Sequence, residues 1–199
     1  AMLTPEPPAP GGRLRRAMVT SMPDTALLVV DMQIALLMGA HETGACLDRV
    51  AELAGRARAA GVPVVYLRQR VDHPDVPAEA LEIHPTVAPR PGDTVLEKDS
   101  ADSFLGTDLD AVLRGQGVRR VVVTGLATEY CVDSTCRSAL SHGYDLLLVA
   151  DGHTTPTRPA DSPLPAAAQV IVHHNALFAT IIYAGRTVRV LPAAEVDLT

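Results

Sequence analysis

Four short runs of nearly unbroken Val, Leu and Ala constrain this chain more than anything else in it. They are Ala26–Asp31 (ALLVVD), Val62–Leu67 (VPVVYL), Arg119–Thr124 (RRVVVT) and Asp145–Ala150 (DLLLVA). None alternates apolar with polar, so none is a strand with one wet face; each must be buried on both sides. Between them lie segments with helical spacing. In Gly44–Ala60 the apolar residues fall at Cys46, Leu47, Val50, Leu53, Ala54 and Ala57, and Gly61 follows as a stop. Thr107–Arg114 reads as a helix closed by Gly115, Glu129–His142 as one closed by Gly143, and Pro165–Ala179 as a third. TVLE within 93–97 is a weak strand, and Thr187–Leu191 is a candidate last strand. Buried strands alternating with helices make right-handed β-α-β units around a parallel sheet. The expected architecture is an open α/β sandwich with helices on both faces.

Organisation and composition narrow the function. Residues 1–23 are rich in Pro, Gly and Arg and read as a flexible tail before a single domain over 24–199. The stretch Arg68–Gly92 is proline-rich, lacks periodicity and carries His73 and His84. A loop that long in a compact domain is usually functional. Seventeen Lys+Arg against 23 Asp+Glu leave a net charge of −6, with no Trp, two Phe and four Tyr. That is neither the basic surplus nor the stacking inventory of a nucleic-acid binder. No apolar run approaches the ~18 residues that a membrane span needs, and residues 1–23 have no secretory h-region. Three cysteines, Cys46, Cys131 and Cys136, are too few for a disulfide scaffold and lack zinc-site spacing. The chain therefore reads as cytoplasmic and reduced.

In open α/β folds ligands collect beyond the carboxyl ends of the strands. Asp31 ends the first run, Lys98 follows TVLE, and Gly125–Cys131 (GLATEYC) links VVVT to a helix. An acid, a cation and a thiol thus map to one sheet edge. A helix N-terminus and an ammonium both favour thiolate, so Cys131 is a candidate nucleophile. Asp31 can shuttle the proton, and backbone N–H groups of the GLAT turn can meet an oxyanion. Singly, each residue has a more ordinary use: a buried apolar thiol, a capping acid, a solvated lysine.

Together these residues resemble the isochorismatase-like cysteine hydrolase superfamily. The segments are LLVVDMQ (Leu27–Gln33), EKDSADSF (Glu97–Phe104), VVVTGLATEYCVDST (Val121–Thr135), GYDLLLVADGHTT (Gly143–Thr155) and AAAQVIVHHNALFA (Ala166–Ala179). The resemblance implies a three-layer Rossmann-like sandwich around a six-stranded parallel sheet, and a catalytic triad of Asp31, Lys98 and Cys131. It implies a cis bond between Leu126 and Ala127, with the N–H groups of Ala127 and Cys131 as an oxyanion hole. It also implies thioester chemistry on a small amide, ureide or lactam, streptothricin included, without metal or organic cofactor, in a homo-oligomer. Gln33, Phe104, Glu129 and Tyr130 become candidate substrate contacts. The metal-binding nicotinamidases of the superfamily carry a D-x-H motif. Here Asp72 directly precedes His73 and no D-x-H occurs within Arg68–Pro85, a departure from that pattern; a metal-assisted nicotinamidase stays as the alternative, beside a non-catalytic binding member of the fold. Cys46 reads as core and Cys136 as inert; His153 and Thr154 read as a turn, and His173 and His174 as helix surface or packing.

Overall fold

A computed structural model describes residues 23–198, so the expected tail lies, but for Pro23, outside the described residues. Six strands run in parallel: β1 (Thr25–Val30), β2 (Val64–Gln69), β3 (Thr94–Lys98), β4 (Arg120–Leu126), β5 (Asp145–Thr154) and β6 (Val188–Leu191). Their spatial order is β3-β2-β1-β4-β5-β6, so β1 lies inside the sheet, paired with both β2 and β4.

Residue alternation along the strands builds two cores. Leu27 and Val29 of β1, with Val64 and Tyr66 of β2 and Val122 of β4, face helix α2 (Thr43–Ala59) through its Cys46, Leu47, Val50, Leu53, Ala54 and Ala57. Ala26, Leu28 and Val30, with Val65, Leu67, Val121 and Val123, face the other way. They meet α3 (Leu109–Gly115), α4 (Asp133–Ser141) and α5 (Ala167–Thr180) through Leu109, Leu113, Cys136, Ala139, Leu140 and Phe178. The result is the three-layer sandwich expected from the continuous apolar runs. Each fully buried Leu or Val contributes about 1.5–3 kcal/mol. Gly61 does stop α2: it takes φ 70°, and Val62 N–H returns to Ala57 O at 2.9 Å.

Several elements differ from expectation. One helical turn, α1 (Ile34–Leu37), follows β1 directly. It is too short to show a period. The segment after β2 is not one open loop but contains two 3-10 turns, Ala78–Leu81 and Pro85–Val87. β5 runs four residues past the expected end, and its register with β4 shifts between Val123 and Gly125. The helix expected from Glu129 begins as a π-helical turn, Thr128–Val132, before α4. Among the described residues no helix is long and apolar enough to cross a membrane.

Candidate active site

The carboxyl edge of the sheet collects the acid, the cation and the thiol. Asp31 follows the last residue of β1. Its N–H bonds Leu67 O at 2.8 Å, its φ is 52°, and Gln33 N–H returns to Asp31 O at 2.7 Å. A non-glycine residue pays about 1–2 kcal/mol for that conformation, and such outliers concentrate at functional sites. Lys98 is the last residue of β3, two strands away from β1. Its stem crosses over Gln69, its register partner on β2, to reach Asp31.

Cys131 arrives from the other side. β4 presses on the end of β1 at Gly125, where φ is 130° and a Cβ would sit 2.1 Å from Val30 O. No side chain fits there, and this close approach brings the following turn against Asp31. The Leu126–Ala127 bond is cis. Ala127 O then accepts from Tyr130 N at 3.0 Å and from Val132 N at 3.2 Å, closing the π-helical turn that carries Cys131.

The three groups meet. Lys98 Nζ is 2.7 Å from Asp31 Oδ2 and donates to Cys131 Sγ at 3.4 Å. It also donates to Gln69 Oε1 at 2.6 Å and to Ser100 O at 2.9 Å. An ammonium has three protons, so these four partners compete, and sulfur has the longest contact. The ion pair is sealed, with side-chain exposures of 0% for Lys98 and 2% for Asp31. Cys131 is half-buried, whereas Cys46 and Cys136 are buried.

Burial decides the proton positions. It raises the Asp31 carboxyl above its ordinary 3.8, against the opposing pull of Lys98. It also pushes the Cys131 thiol up to about 11, reinforced by the Asp31 charge and hydrogen bond, with Lys98 only partly offsetting this. Burial thus works against the thiolate that a helix N-terminus and an ammonium favour. The ammonium's charge is already matched by Asp31, so no net cation is left for sulfur. Burial raises the other two thiols as well, Cys46 to about 12.

Two expected substrate contacts lie elsewhere. The Gln33 amide is fully used: Nε2 donates to Gln69 O at 3.0 Å and Leu81 O at 2.8 Å, and Oε1 accepts from Gln69 N at 2.8 Å. It clamps the end of β2, where Gln33 lines a cavity with Arg68, Gln69 and Arg70. Phe104 stacks on His142 at 4.7 Å and lies 5.9 Å from Tyr144, at the amino end of β5. Its ring gains more from that core than from a polar crevice. Glu129 pairs with Arg158 and accepts the Thr155 hydroxyl at 2.6 Å, while Tyr130 is 60% exposed.

The histidines also sort out. His73 and His84 each cap their own turn, accepting from Asp75 N and Thr86 N at 3.3 Å. Among the described residues no three His, Cys, Asp or Glu side chains converge as metal ligands. His153 and Thr154, expected in a turn, are buried in the extension of β5. His173 and His174 lie on α5, edge to face at 5.5 Å.

Gln69 and Ser100 were not singled out from sequence. Gln69 ends a strand like the other three, but the β2 run was read as stopping at Leu67. Ser100 acts through its carbonyl, which leaves no trace in residue type.

Comparison with known proteins gives the family. The model of the isochorismatase domain matches residues 25–180. A streptothricin hydrolase of Streptomyces noursei is 41% identical, the match covering 68% of this chain and 51% of the relative. The chain thus spans about half the length of that relative. A ureidoacrylate amidohydrolase of Methylorubrum extorquens is 31% identical, covering 64% and 68%. The solved N-carbamoylsarcosine amidase of Thermoplasma acidophilum superposes with a TM-score of 0.66 at 28% identity, covering 87% of this chain and 98% of that one. A family match over most of the described length leaves one assignment: this chain belongs to the isochorismatase family.

Proposed function

We propose that the chain is a cysteine-dependent hydrolase that cleaves a non-peptide C–N bond of a small molecule through a thioester. The observation that carries this reading is the contact of a buried Lys98 with both the Asp31 carboxylate and the sulfur of the half-buried Cys131. The resting state is thiol, carboxylate and ammonium. Moving the thiol proton to Asp31 leaves thiolate, neutral acid and ammonium, so the net charge of the trio stays zero. That matters because creating net charge in a desolvated site is expensive. As Asp31 is neutralised, Lys98 loses its partner and its attraction passes to sulfur. The ammonium thus stabilises the thiolate at the moment it forms.

Sulfur then attacks the substrate carbonyl carbon. The oxyanion is assigned to the N–H groups of Ala127 and Cys131. Collapse breaks the C–N bond, and the leaving nitrogen takes the proton from Asp31. Water, deprotonated by Asp31, opens the thioester to a carboxylic acid and regenerates the thiol. Lactam, ureide and amide substrates all fit this sequence; relatives are named for streptothricin, ureidoacrylate and N-carbamoylsarcosine, the last two being ureides. The active species is proposed to be a homo-oligomer.

The test is release of ammonia or amine across ureides and primary amides, with ring opening of streptothricin followed by mass spectrometry. Cys131→Ala should lower the rate by about 10³-fold or more, and acid quench of the wild type should trap an acyl adduct on the Cys131 peptide. Unchanged turnover in Cys131→Ala overturns the reading.

A further inference from the structure

A second group of polar side chains lies directly behind the turn that carries Cys131, and the reaction scheme does not use it. Thr128 Oγ1 is 2.8 Å from His153 Nδ1, His153 Nε2 is 3.0 Å from Asn175 Oδ1, and Asn175 Nδ2 is 2.9 Å from Ala150 O. On paper this is a hydroxyl–imidazole–amide series of the kind that activates nucleophiles. Thr128 and His153 are 0% and 2% exposed, and the half-buried Cys131 is the group already assigned to attack.

The direction of every bond in the series is fixed. Ala150 O can only accept, so the Asn175 NH₂ faces it and Oδ1 faces the histidine. Nε2 must then carry the imidazole proton, and Nδ1, left with its lone pair, accepts from the Thr128 hydroxyl. Burial supports the neutral ring, lowering His153 to about 4. The series runs from α5 through β5 to the residue that follows Ala127. β5 is seated for this by its register, with Gly125 opposite His153 and Leu126 opposite Thr154.

We infer that His153 is a positioning residue: through Nδ1 it holds the Thr128 hydroxyl and thereby fixes the Ala127–Thr128 backbone against the oxyanion. This rests on the thioester reading above and adds to it a residue remote from the reacting atoms. A group that only positions an oxyanion donor should matter for carbonyl attack and not for simple alkylation. Removing an oxyanion donor outright costs about 10²–10³-fold, and a misplacement of about 1 Å can cost about 10²-fold.

Two amides separate the two ring nitrogens. His153→Asn places Oδ1 near the old Nδ1 and keeps the Thr128 bond while losing Asn175. His153→Gln reaches Asn175 and loses Thr128. Acylation by p-nitrophenyl acetate reports carbonyl attack, and carbamidomethylation of Cys131 by iodoacetamide, with loss of iodide, reports thiol access alone. In His153→Gln and in Thr128→Val, kcat for the ester should fall about tenfold or more with KM within about twofold. Alkylation should stay within about threefold of wild type. His153→Asn and Thr128→Ser should retain most of kcat. Thermal unfolding of each variant identifies any loss that tracks stability. Equal losses in His153→Asn and His153→Gln, or losses that follow unfolding temperature, overturn the inference while Cys131→Ala remains inactive. Wild-type ester turnover in Cys131→Ala overturns the thioester reading itself, and this inference with it.

Discussion

Asp31 and Lys98 show how one buried pair sets the state of a third group. The carboxylate lies 2.7 Å from the ammonium, and both are sealed from water. Burial pushes the thiol up to about 11, the Asp31 charge and hydrogen bond add to that rise, and Lys98 only partly offsets it. Asp31→Asn keeps the shape and removes the negative charge. It takes away the two causes that Asp31 adds to the thiol's rise and leaves Lys98 pulling the other way. The alkylation midpoint of Cys131 should therefore move down from about 11, while turnover falls by about 10³-fold or more for want of a proton acceptor. A more ionised cysteine in a dead enzyme is the expected pair of outcomes. It is read from the pH dependence of iodoacetamide labelling beside an amine-release assay. An unmoved midpoint, or retained turnover, contradicts the role given to Asp31. Breaking a buried pair this way also costs about 3–5 kcal/mol of stability, although Gln69 and Ser100 still hold the ammonium. In the wild type, Asp31 must be ionised to act. The acid limb of kcat/KM should then fall at a pH above the ordinary carboxylate value of 3.8, because burial raises this carboxyl.

At the level of elements, the strands that hold the chemistry were legible and the ways they end were not. β1, β4 and the first part of β5 stood out because near-continuous Val and Leu leave no polar face. Asp31, Lys98 and Cys131 could be placed because strand ends in such a sheet share one edge. The π-helical turn at Thr128–Val132 was read as ordinary helix, since one extra residue per turn barely changes a short apolar pattern. The extension of β5 was hidden by Gly152, whose neighbour Val149 leaves no room for a Cβ and which reads in sequence as a turn. That extension buries His153, with a consequence for stability. In the unfolded chain a histidine binds its proton near 6.5, and here the folded protein resists until about 4. Below about pH 6.5 the unfolded state takes up a proton that the folded state refuses. Stability from this group is therefore full above 6.5 and declines as pH falls toward 4, by about 3 kcal/mol in all. Urea unfolding of wild type and His153→Asn at pH 7.5, 5.5 and 4 should show the gap between them closing with acid by about that amount. Parallel curves would mean that the ring titrates freely in the fold.

For the molecule as a whole, the layers followed from burial, but long-range placement did not. Phe104 has no periodic neighbours, so nothing local says that it turns back toward Tyr144 and away from Lys98. Gln33 lines a cavity, but nothing local says that Gln69 and Leu81 consume its amide. The outer face of α5 poses a similar problem at larger scale. Ala168, Val172, Ala176 and Ala179 recur every three or four residues, and all are exposed, with Val172 at 67%. The opposite face is already committed to the core through Ala167, Val170 and Phe178. A helix apolar on both sides is ordinarily covered on both. The proposed homo-oligomer would supply that cover, and in a two-fold pair the same face from each copy would meet itself. Light scattering coupled to size exclusion should then give about twice 21.0 kDa or a higher even multiple. Val172→Glu places like charges opposite one another across such an axis, and should shift the mass to the monomer without touching Asp31, Lys98 or Cys131. A wild-type monomer at tens of micromolar would rule the pairing out. An unchanged assembly in Val172→Glu would move the interface away from this helix.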